Sequence, residues 1–456
     1  MRPLFYFYSI LVLIISATIY SIGSEVNISI YFAIISFILL VYFLYKIDGY
    51  FSLSVLLPIT FGVFIFGRHI SYILSGHEID VYRVGFLSSD ILSSNDYNYW
   101  TFISTSSIFV FSMLSVFVKN IFGIDYRIYK SINNGYAKKS PIVSLLLFLI
   151  SVLTAFVFVE IFEFTIRYGY VGIYLYNMQM AENPTLIGKL YFYSGSLLYL
   201  LVGYSLVFSR NKNELKIILS LILIKSIFLA VIGQRGPFLC SILFMVLLYT
   251  QVRKNNLIKI GALFFSLALL AQVLNLFRGT GQEINGIFDA FSRFFYEQGI
   301  SFYIPYLSSQ YSFPTIASIQ TLLPGTKFIY ETFSGDELTL LDYNFTNALT
   351  YYVNYKAYLE GAGLGWSVLS DFQKIIGGDF GIIIGMAALG LFTGYCESQR
   401  SGRNAKFLIY SIAIPFLFLP RASIASITPI ILLCFIVMIF REVSKIKTYG
   451  WNINER

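Results

Sequence analysis

The sequence predicts an all-α polytopic membrane protein, and three observations support that fold class. Apolar residues make up 57% of the 456-residue chain. Only 12% of the residues are charged, against about 25% in soluble domains. Apolar runs long enough to span a bilayer, roughly 17 to 25 residues each, recur along the whole sequence. The 45 Phe and 36 Tyr residues fit helices with aromatic ends at the membrane interface.

The apolar runs predict about twelve spans. The first follows Met1-Arg2 with no small-residue cleavage site after it, so we expect an anchor rather than a removed signal. The third either spans the membrane or re-enters it around Pro58. Two runs, 237–252 and 407–420, are short. The full set covers residues 4–21, 28–45, 51–73, 98–118, 141–160, 188–208, 216–233, 237–252, 257–277, 379–395, 407–420 and 424–440.

The distribution of charge predicts the orientation of these spans. Basic clusters follow the even-numbered spans from the fourth onward, at residues 119–139, 210–216, 253–259, 400–406 and 441–447. Most of the 32 Lys and Arg residues therefore fall on one side, and most of the 24 Asp and Glu residues fall on the other. The positive-inside rule then places both termini in the cytoplasm. The net charge of +8 reflects this bias and does not indicate nucleic-acid binding.

The loops divide the chain into three parts. Residues 1–277 hold nine spans with short loops, residues 278–378 form one large outer loop, and residues 379–456 hold the last three spans and a cytoplasmic tail. A structureless loop of that length is uncommon, so we expect 278–378 to fold into a small subdomain. Its apolar residues between 287 and 300 recur at helical spacing. That helix either lies on the membrane surface or packs on the bundle.

Three arginines follow apolar runs at the predicted outer face: Arg235 in IGQRGPF, Arg278 in LNLFRGT and Arg421 in FLFLPRAS. This position opposes the positive-inside bias, and a planar guanidinium suits pyrophosphate or carboxylate. Gly233 and Gly236 flank Arg235 and would let backbone N–H groups approach an anion. The alternative is that these are ordinary turns whose arginines reach lipid phosphates at the interface.

Lys225 is the ionisable residue deepest inside a predicted span. An intramembrane charge marks a candidate substrate-binding residue. The alternative is a structural ion pair with Glu160 or Glu163.

Asp371 is the strongest candidate acid of the outer side. It follows the glycine-rich stretch 361–365 and precedes the tenth predicted span. A carboxylate on such a loop would lie near a substrate hydroxyl, where it would act as a base. A solvated loop residue is the alternative, and Asp342 and Glu360 are weaker candidates for the same role.

Several motifs are absent from the sequence. It has no Walker-A sequence, no dinucleotide fingerprint and no HExxH. Its two histidines are His69 and His77, and its three cysteines have no metal-ligand spacing. We therefore expect no metal site and no cofactor. If the substrate is linked through pyrophosphate, the arginines would neutralise the charge of the leaving pyrophosphate in place of a divalent ion.

The stretch from Gly361 to Gly394, GAGLGWSVLSDFQKIIGGDFGIIIGMAALGLFTG, resembles the Wzy-type O-antigen polymerases, which polymerise oligosaccharide repeat units. In that family a glycine-rich stretch, a Ser and an acidic residue precede an NFGxxG helix start. Here Asp371 stands where Glu is usual, and GDFG at 378–381 stands at the helix start. The GQRG turn at 233–236 is similar to the family's GxRG turn, and the layout of spans and one large late loop is also similar.

The resemblance implies a GT-C-like, metal-independent glycosyltransferase of the bacterial inner membrane. It would move a growing glycan from undecaprenyl pyrophosphate onto a lipid-linked repeat unit at the periplasmic face. Arg235, Arg278 and Arg421 would hold the donor pyrophosphate, and Asp371 would serve as a base or a sugar-binding acid. A polysaccharide chain-length regulator is a further possible partner, although no residue pattern marks that contact.

Two other functions remain open at this level. An O-antigen ligase shares the layout and the lipid donor, but its pattern has a histidine in the large loop, and no histidine follows His77. A repeat-unit flippase, the non-enzyme alternative, is expected to line a central path with charges in its spans. The predicted spans are nearly free of charge apart from Lys225.

Overall fold

A computed structural model of the protein describes residues 1–85, 88–123, 141–169, 176, 185–209, 211–231, 235–250, 286–359 and 363–453. Most of these residues are helical. The first group of elements holds five helices and a two-stranded antiparallel hairpin that pairs Arg83 with Ile91 and Gly85 with Ser88. In chain order they are α1 (Arg2–Ile22), α2 (Val26–Asp48), α3 (Leu53–Phe64), α4 (Gly67–Leu74), β1 (Arg83–Gly85), β2 (Ser88–Ile91) and α5 (Ser94–Phe122).

The second group holds four long helices, and the third is a set of short helices that we call the cap, residues 286–359. The second group is α6 (Pro141–Tyr168), α7 (Leu186–Tyr204) with a π-helical extension (Ser205–Ser209), α8 (Lys212–Val231) and α9 (Arg235–Thr250). The cap contains α10 (Ile287–Gln298), a 3-10 turn (Gly299–Phe302), α11 (Ile304–Ser309), α12 (Thr315–Leu322), α13 (Thr326–Ser334), α14 (Leu340–Tyr343), α15 (Phe345–Val353) and α16 (Tyr355–Leu359).

The last group begins with a helix that changes its winding. α17 (Val368–Phe372) continues through a π-helical turn (Gln373–Gly377) into α18 (Gly378–Cys396). α19 (Arg403–Phe418) then leads through two 3-10 turns (Leu419–Arg421 and Ile424–Ser426) into α20 (Thr428–Ile453). Together α17, the π turn and α18 form one apolar helix of 29 residues.

Within the described residues, seven helices are long and apolar enough to cross a membrane. An eighth span results if α3 and α4, which meet at an angle of 58°, count as one broken span. The break lies at residues 65–66, whereas Pro58, where the sequence leaves a re-entrant turn as an alternative, is buried inside α3. The predicted spans 216–233 and 407–420 form helices α8 and α19, but α8 carries four charged residues and α19 has only 16 residues. The predicted span 257–277 lies outside the described residues, so the count of about twelve stays a prediction.

Small polar side chains are buried among apolar ones, and many other apolar side chains are exposed. On α1, Ser9 and Ser16 are buried, whereas Phe7 and Ile14 are more than half exposed. Such a surface suits a membrane protein, because lipid offers apolar side chains as good a surrounding as the protein interior. The pattern confirms the all-α polytopic membrane fold.

α5 and α18 run parallel and form the closest helix pair of the bundle. A methyl group on Gly394 would lie 2.5 Å from the carbonyl oxygen of Ser115, and one on Gly390 would overlap the backbone of Phe111. Small residues at this spacing let two helix backbones touch. Near the start of both helices the Tyr99 hydroxyl binds Asp379.

The direction of α5 and α18 lets the two ends of the bundle be named. The arginine end carries Arg235 and Arg421, and the lysine end, at the opposite side, carries Lys119 of α5. Tyr99 and Lys119 lie about 30 Å apart along α5, at 1.5 Å of rise per residue.

Helix α10 packs on the bundle, which is one of the two positions that the sequence leaves open for it. Its Ala290, Ser292 and Phe294 are buried. The Ser71 hydroxyl of α4 donates to the carbonyl oxygen of Ser292 over 2.7 Å. α10 is thus held by protein contacts at the arginine end.

Candidate active site

Two of the three arginines singled out by the sequence meet at the last turn of α10. Arg235 is the first residue of α9, and its Nη1 lies 3.2 Å from Oε2 of Glu297. Arg421 ends a 3-10 turn, and its Nη1 donates to the carbonyl oxygens of Glu297 at 3.3 Å and Gln298 at 2.9 Å. A positive charge is favourable there because the C-terminal carbonyl groups of a helix carry partial negative charge. Arg278 lies outside the described residues.

The turn that carries Arg235 packs directly against the turn that carries Arg421. Any side chain on Gly236 would overlap the ring of Phe418, three residues before Arg421. Pro237 lies in the first turn of α9, where its missing N–H removes no helical hydrogen bond. The described role of Gly236 is therefore close packing, and Gly233 lies outside the described residues.

Asp371 lies in a helix, which corrects the prediction of a loop before the tenth span. α17 begins at Val368 because the Ser367 side chain accepts a hydrogen bond from the Leu369 N–H and caps the helix. The π turn (Gln373–Gly377) then joins α17 to α18, which begins at Gly378, where the sequence predicts the helix start. The Asp371 side chain is fully buried, so it does not face solvent as a loop acid would.

Three donors surround the Asp371 carboxylate. Trp366 Nε1 donates to Oδ1 over 2.7 Å, the Ser423 hydroxyl donates to Oδ1 over 3.2 Å, and the Ile424 N–H donates to Oδ2 over 2.6 Å. Ser423 and Ile424 lie two and three residues after Arg421 in the chain. Asp371 therefore fixes the segment that carries Arg421.

Arg68 is a buried arginine that the sequence analysis does not identify. It lies in the first turn of α4 with only 2% of its surface exposed. Its guanidinium carbon lies 3.4 Å from the ring centroid of Tyr296 and 5.4 Å from that of Tyr303. Nη2 reaches the Val84 carbonyl at 3.5 Å, and Nε and Nη1 have no partner among the described residues. Such a desolvated cation–π contact is worth about 2 kcal/mol.

Arg68 is next to the same turn of α10 that the other two arginines contact. Tyr296 directly precedes Glu297, and a methyl group on Gly67 would lie 2.6 Å from the carbonyl oxygen of Phe295. The start of α4 thus abuts the end of α10. Three arginines from distant parts of the chain surround residues 296–298, and we call this group the arginine cluster: Arg68, Arg235 and Arg421.

The acidic residue of the GDFG stretch links the helix start to the cap. Asp379 accepts from the Tyr99 hydroxyl and from Gln373 Nε2, the latter over 2.9 Å. Gln373 in turn accepts from the Ser308 hydroxyl over 2.8 Å. This chain of contacts fixes α18 relative to α5 and to α11.

Lys225 is not part of the arginine cluster. Its Nζ lies 4.0 Å from the centroid of the Tyr191 ring, and it lines a cavity of about 10 Å³ between α6, α7 and α8. Such a volume holds about one water. Glu160, one of its two predicted partners, accepts from the Tyr176 hydroxyl over 2.8 Å, and no ion pair joins Lys225 to Glu160 or Glu163.

The part of the chain that the structure describes contains no group of three or more His, Cys, Asp and Glu side chains placed to hold a metal ion. The three cysteines are buried and unpaired. At the arginine end, the last turn of α10 brings Glu297 together with Arg235 and Arg421.

The fold and this site define a polytopic helical membrane protein with a cationic cluster at one end of its bundle. The family model for the O-antigen polysaccharide polymerase Wzy matches residues 4–447, and the chain belongs to this family. The resemblance seen in the sequence is thereby confirmed. The family polymerises O-antigen during lipopolysaccharide biosynthesis, so the chain is a polymerising glycosyltransferase-type enzyme of the inner membrane that acts on lipid-linked repeat units. No curated protein and no solved structure is detectably similar to the chain.

Proposed function

We propose that the chain transfers a growing glycan from undecaprenyl pyrophosphate onto the terminal sugar of a single lipid-linked repeat unit, without a metal ion. The observation that carries the proposal is the convergence of Arg235 and Arg421 on the last turn of α10. Two guanidinium groups at one site suit a ligand with two linked phosphates, because each planar fork pairs with phosphate oxygens.

The arginines would stabilise the leaving group. The bond between the anomeric carbon and the pyrophosphate oxygen breaks, and both of its electrons leave with the pyrophosphate. A fixed donor aimed at such developing charge is worth about 2.7–4 kcal/mol. Arg235, Arg421 and Arg278 would supply these donors, and the turn 233–236 would add backbone N–H groups. Lys225 is left out because its described contacts are aromatic and apolar.

The arginine end would face the periplasm. Basic residues concentrate in the loops of the opposite side, which supports cytoplasmic termini. The proposal includes a GT-C-like bundle of about twelve spans and residues 278–378 as a periplasmic subdomain. A chain-length regulator would contact this exposed side.

The proposal is tested with purified protein in nanodiscs and a synthetic lipid-linked repeat unit. We expect glycans of many repeat units to form in the presence of a metal chelator. In cells, deletion of the gene is expected to leave lipopolysaccharide core with a single repeat unit, and complementation should restore the ladder. Single-unit products in the nanodisc assay, or a requirement for added divalent metal, would contradict the proposal.

Asp371 is proposed as a positioning residue for Arg421. In Asp371→Asn, an amide hydrogen would face one of the three donors, so we expect one hydrogen bond to be lost and stability to fall by about 1–3 kcal/mol. Chain growth should fall as well, because the 421–424 segment shifts. The melting temperature and the rate of chain growth measure both effects. Asp336→Asn, on an exposed cap residue, is the control, and an unchanged melting temperature in Asp371→Asn would contradict the assignment.

Arg68 is proposed to hold the last turn of α10 through Tyr296. Arg68→Met keeps much of the side-chain volume but removes both the cation–π contact and the unfavourable burial of a charge, so we expect stability to fall by no more than about 2 kcal/mol. Chain growth should fall roughly tenfold or more, because the last turn of α10, which positions Arg235 and Arg421, loses a cation–π contact of about 2 kcal/mol. Arg293→Met, also on α10 and partly exposed beside Asp289, should grow chains normally. Equal rates of chain growth in Arg68→Met and Arg293→Met would contradict a role for Arg68 in the site.

A further inference from the structure

Glu297 is the acidic side chain that the fold places on the arginine cluster. Its Oε2 lies 3.2 Å from Arg235 Nη1, and 43% of its side chain is exposed, against 4% for Arg235. The guanidinium is thus buried behind the carboxylate, and the carboxylate is on the accessible side. A substrate that reaches Arg235 would meet Glu297 first.

Transfer to a sugar hydroxyl needs a group that takes the hydroxyl proton. Such a base must be ionisable, reachable by the acceptor and within hydrogen-bond reach of the hydroxyl when it attacks. The candidate predicted from sequence, Asp371, fails the second condition, because it is fully buried and its three partners all donate to it.

The two histidines are no better placed. His69 is fully buried, with its ring 4.8 Å from that of Phe302 and its Nε2 at 3.1 Å from the Thr101 hydroxyl. His77 follows α4 and contacts Tyr31 and Tyr72, with its Nε2 at 2.6 Å from the Tyr31 hydroxyl. His69 directly follows Arg68 in the chain, but neither histidine side chain has a described contact with an arginine side chain of the cluster.

We propose that Glu297 is the general base of the polymerisation step, an inference that rests on the proposed function. The Glu297 carboxylate takes the proton of the acceptor hydroxyl as its oxygen forms a bond to the anomeric carbon of the donor. The bond from that carbon to the pyrophosphate breaks in the same step, and the pyrophosphate leaves with the electron pair and binds the arginines. Glu297, now protonated, returns the proton to water before the next round.

In this arrangement, one helical turn contacts both substrates: the acceptor that loses a proton and the donor that loses pyrophosphate. Glu297 faces the acceptor through its side chain, and its backbone carbonyl and that of Gln298 hold Arg421 at the donor side. A base next to the leaving-group site is required because the new bond forms on the carbon that loses the pyrophosphate. The last turn of α10 sets the distance between them.

The experiment compares Glu297→Gln with Glu297→Asp and with the exposed control Glu337→Gln in the nanodisc assay. Gln keeps the size and a hydrogen-bond acceptor for Arg235 but cannot take a proton. We expect kcat to fall about 10²- to 10⁴-fold in Glu297→Gln, with the KM for the donor unchanged or lower because Arg235 loses its anionic partner. Glu297→Asp should keep more activity than Gln, and formate added to Glu297→Ala should restore part of the rate.

Each outcome has a distinct meaning. A Glu297→Gln variant with kcat within about threefold of the unmodified protein, outside the range expected for a lost base, would overturn the inference. A raised KM with unchanged kcat would do the same, since Glu297 would then only bind substrate. If Arg235→Ala loses chain growth while Glu297→Gln keeps it, the proposed function stands and Glu297 is not its base. If the unmodified protein makes no polymer, the proposed function itself has failed.

Discussion

Replacing Arg235 by alanine should slow chain growth by about 10² to 10³-fold, the effect of removing one preorganised donor from a developing negative charge. Arg235 is 5% exposed, and its position is fixed by Glu297 and by the packing of Gly236 on Phe418. Little reorganisation is needed when charge develops beside it, which makes such a donor effective. The measurement is the rate of chain growth in nanodiscs, together with the lipopolysaccharide ladder in cells.

Two further variants separate charge from geometry. Arg235→Lys keeps the charge but replaces a planar fork by a point charge, so we expect partial activity. Arg83→Ala is the control, because Arg83 is an exposed arginine paired with Asp80 at 3.6 Å and has no described contact with the cluster. The role of Arg235 is refuted if Arg235→Ala protein of normal melting temperature grows chains at the rate of Arg83→Ala.

The second large effect is on stability, at the lysine end. Lys119→Met should lower the free energy of unfolding by about 3–5 kcal/mol, the usual result of removing one partner from a buried ion pair. Lys119 Nζ lies 2.6 Å from Asp48 Oδ2 and 2.8 Å from Glu397 Oε2, and Lys119 and Asp48 are each 1% exposed. The Ser54 hydroxyl binds both carboxylates. Without the ammonium group, two carboxylates face each other in the interior.

The melting temperature of the protein in nanodiscs measures this effect. A matched triple variant, Lys119→Met with Asp48→Asn and Glu397→Gln, removes all three charges and should recover much of the loss, because no buried charge is left unpaired. If the single variant melts at the temperature of the unmodified protein, the three residues do not form the buried group described here. If the triple variant melts lower than the single one, repulsion between the carboxylates is not the cause.

The sequence was informative where a residue breaks a rule of membrane proteins. Arg235 and Arg421 oppose the positive-inside bias, and the fold brings both to α10. Arg68 lies inside the predicted span 51–73, so the rule that marks Lys225 applies to it as well, but the sequence alone does not show that a break at residues 65–66 brings it to α10. Glu297 has the pattern of a solvated acid on an amphipathic helix, and only the fold places Arg235 against it.

Other differences arise from contacts between residues far apart in the chain. The sequence predicts Lys119 as one of several cytoplasmic loop charges, yet the side chain is buried and pairs with Asp48, which lies 71 residues away. The sequence predicts a loop at Asp371 because the glycine-rich stretch 361–365 precedes it. Its helical position depends on a Ser cap and on donors from residues 423 and 424, which no local pattern predicts.

The contact between α5 and α18 has a mechanical consequence for an enzyme that repeats one step many times. With Gly390 and Gly394 against the backbone of α5, and with Asp379 and Glu397 bound to α5 residues near its two ends, the pair acts as a rigid strut through the membrane. Sliding of one helix along the other would break both polar anchors at once. Any movement that admits a new repeat unit and releases the spent carrier must therefore leave this helix pair in register.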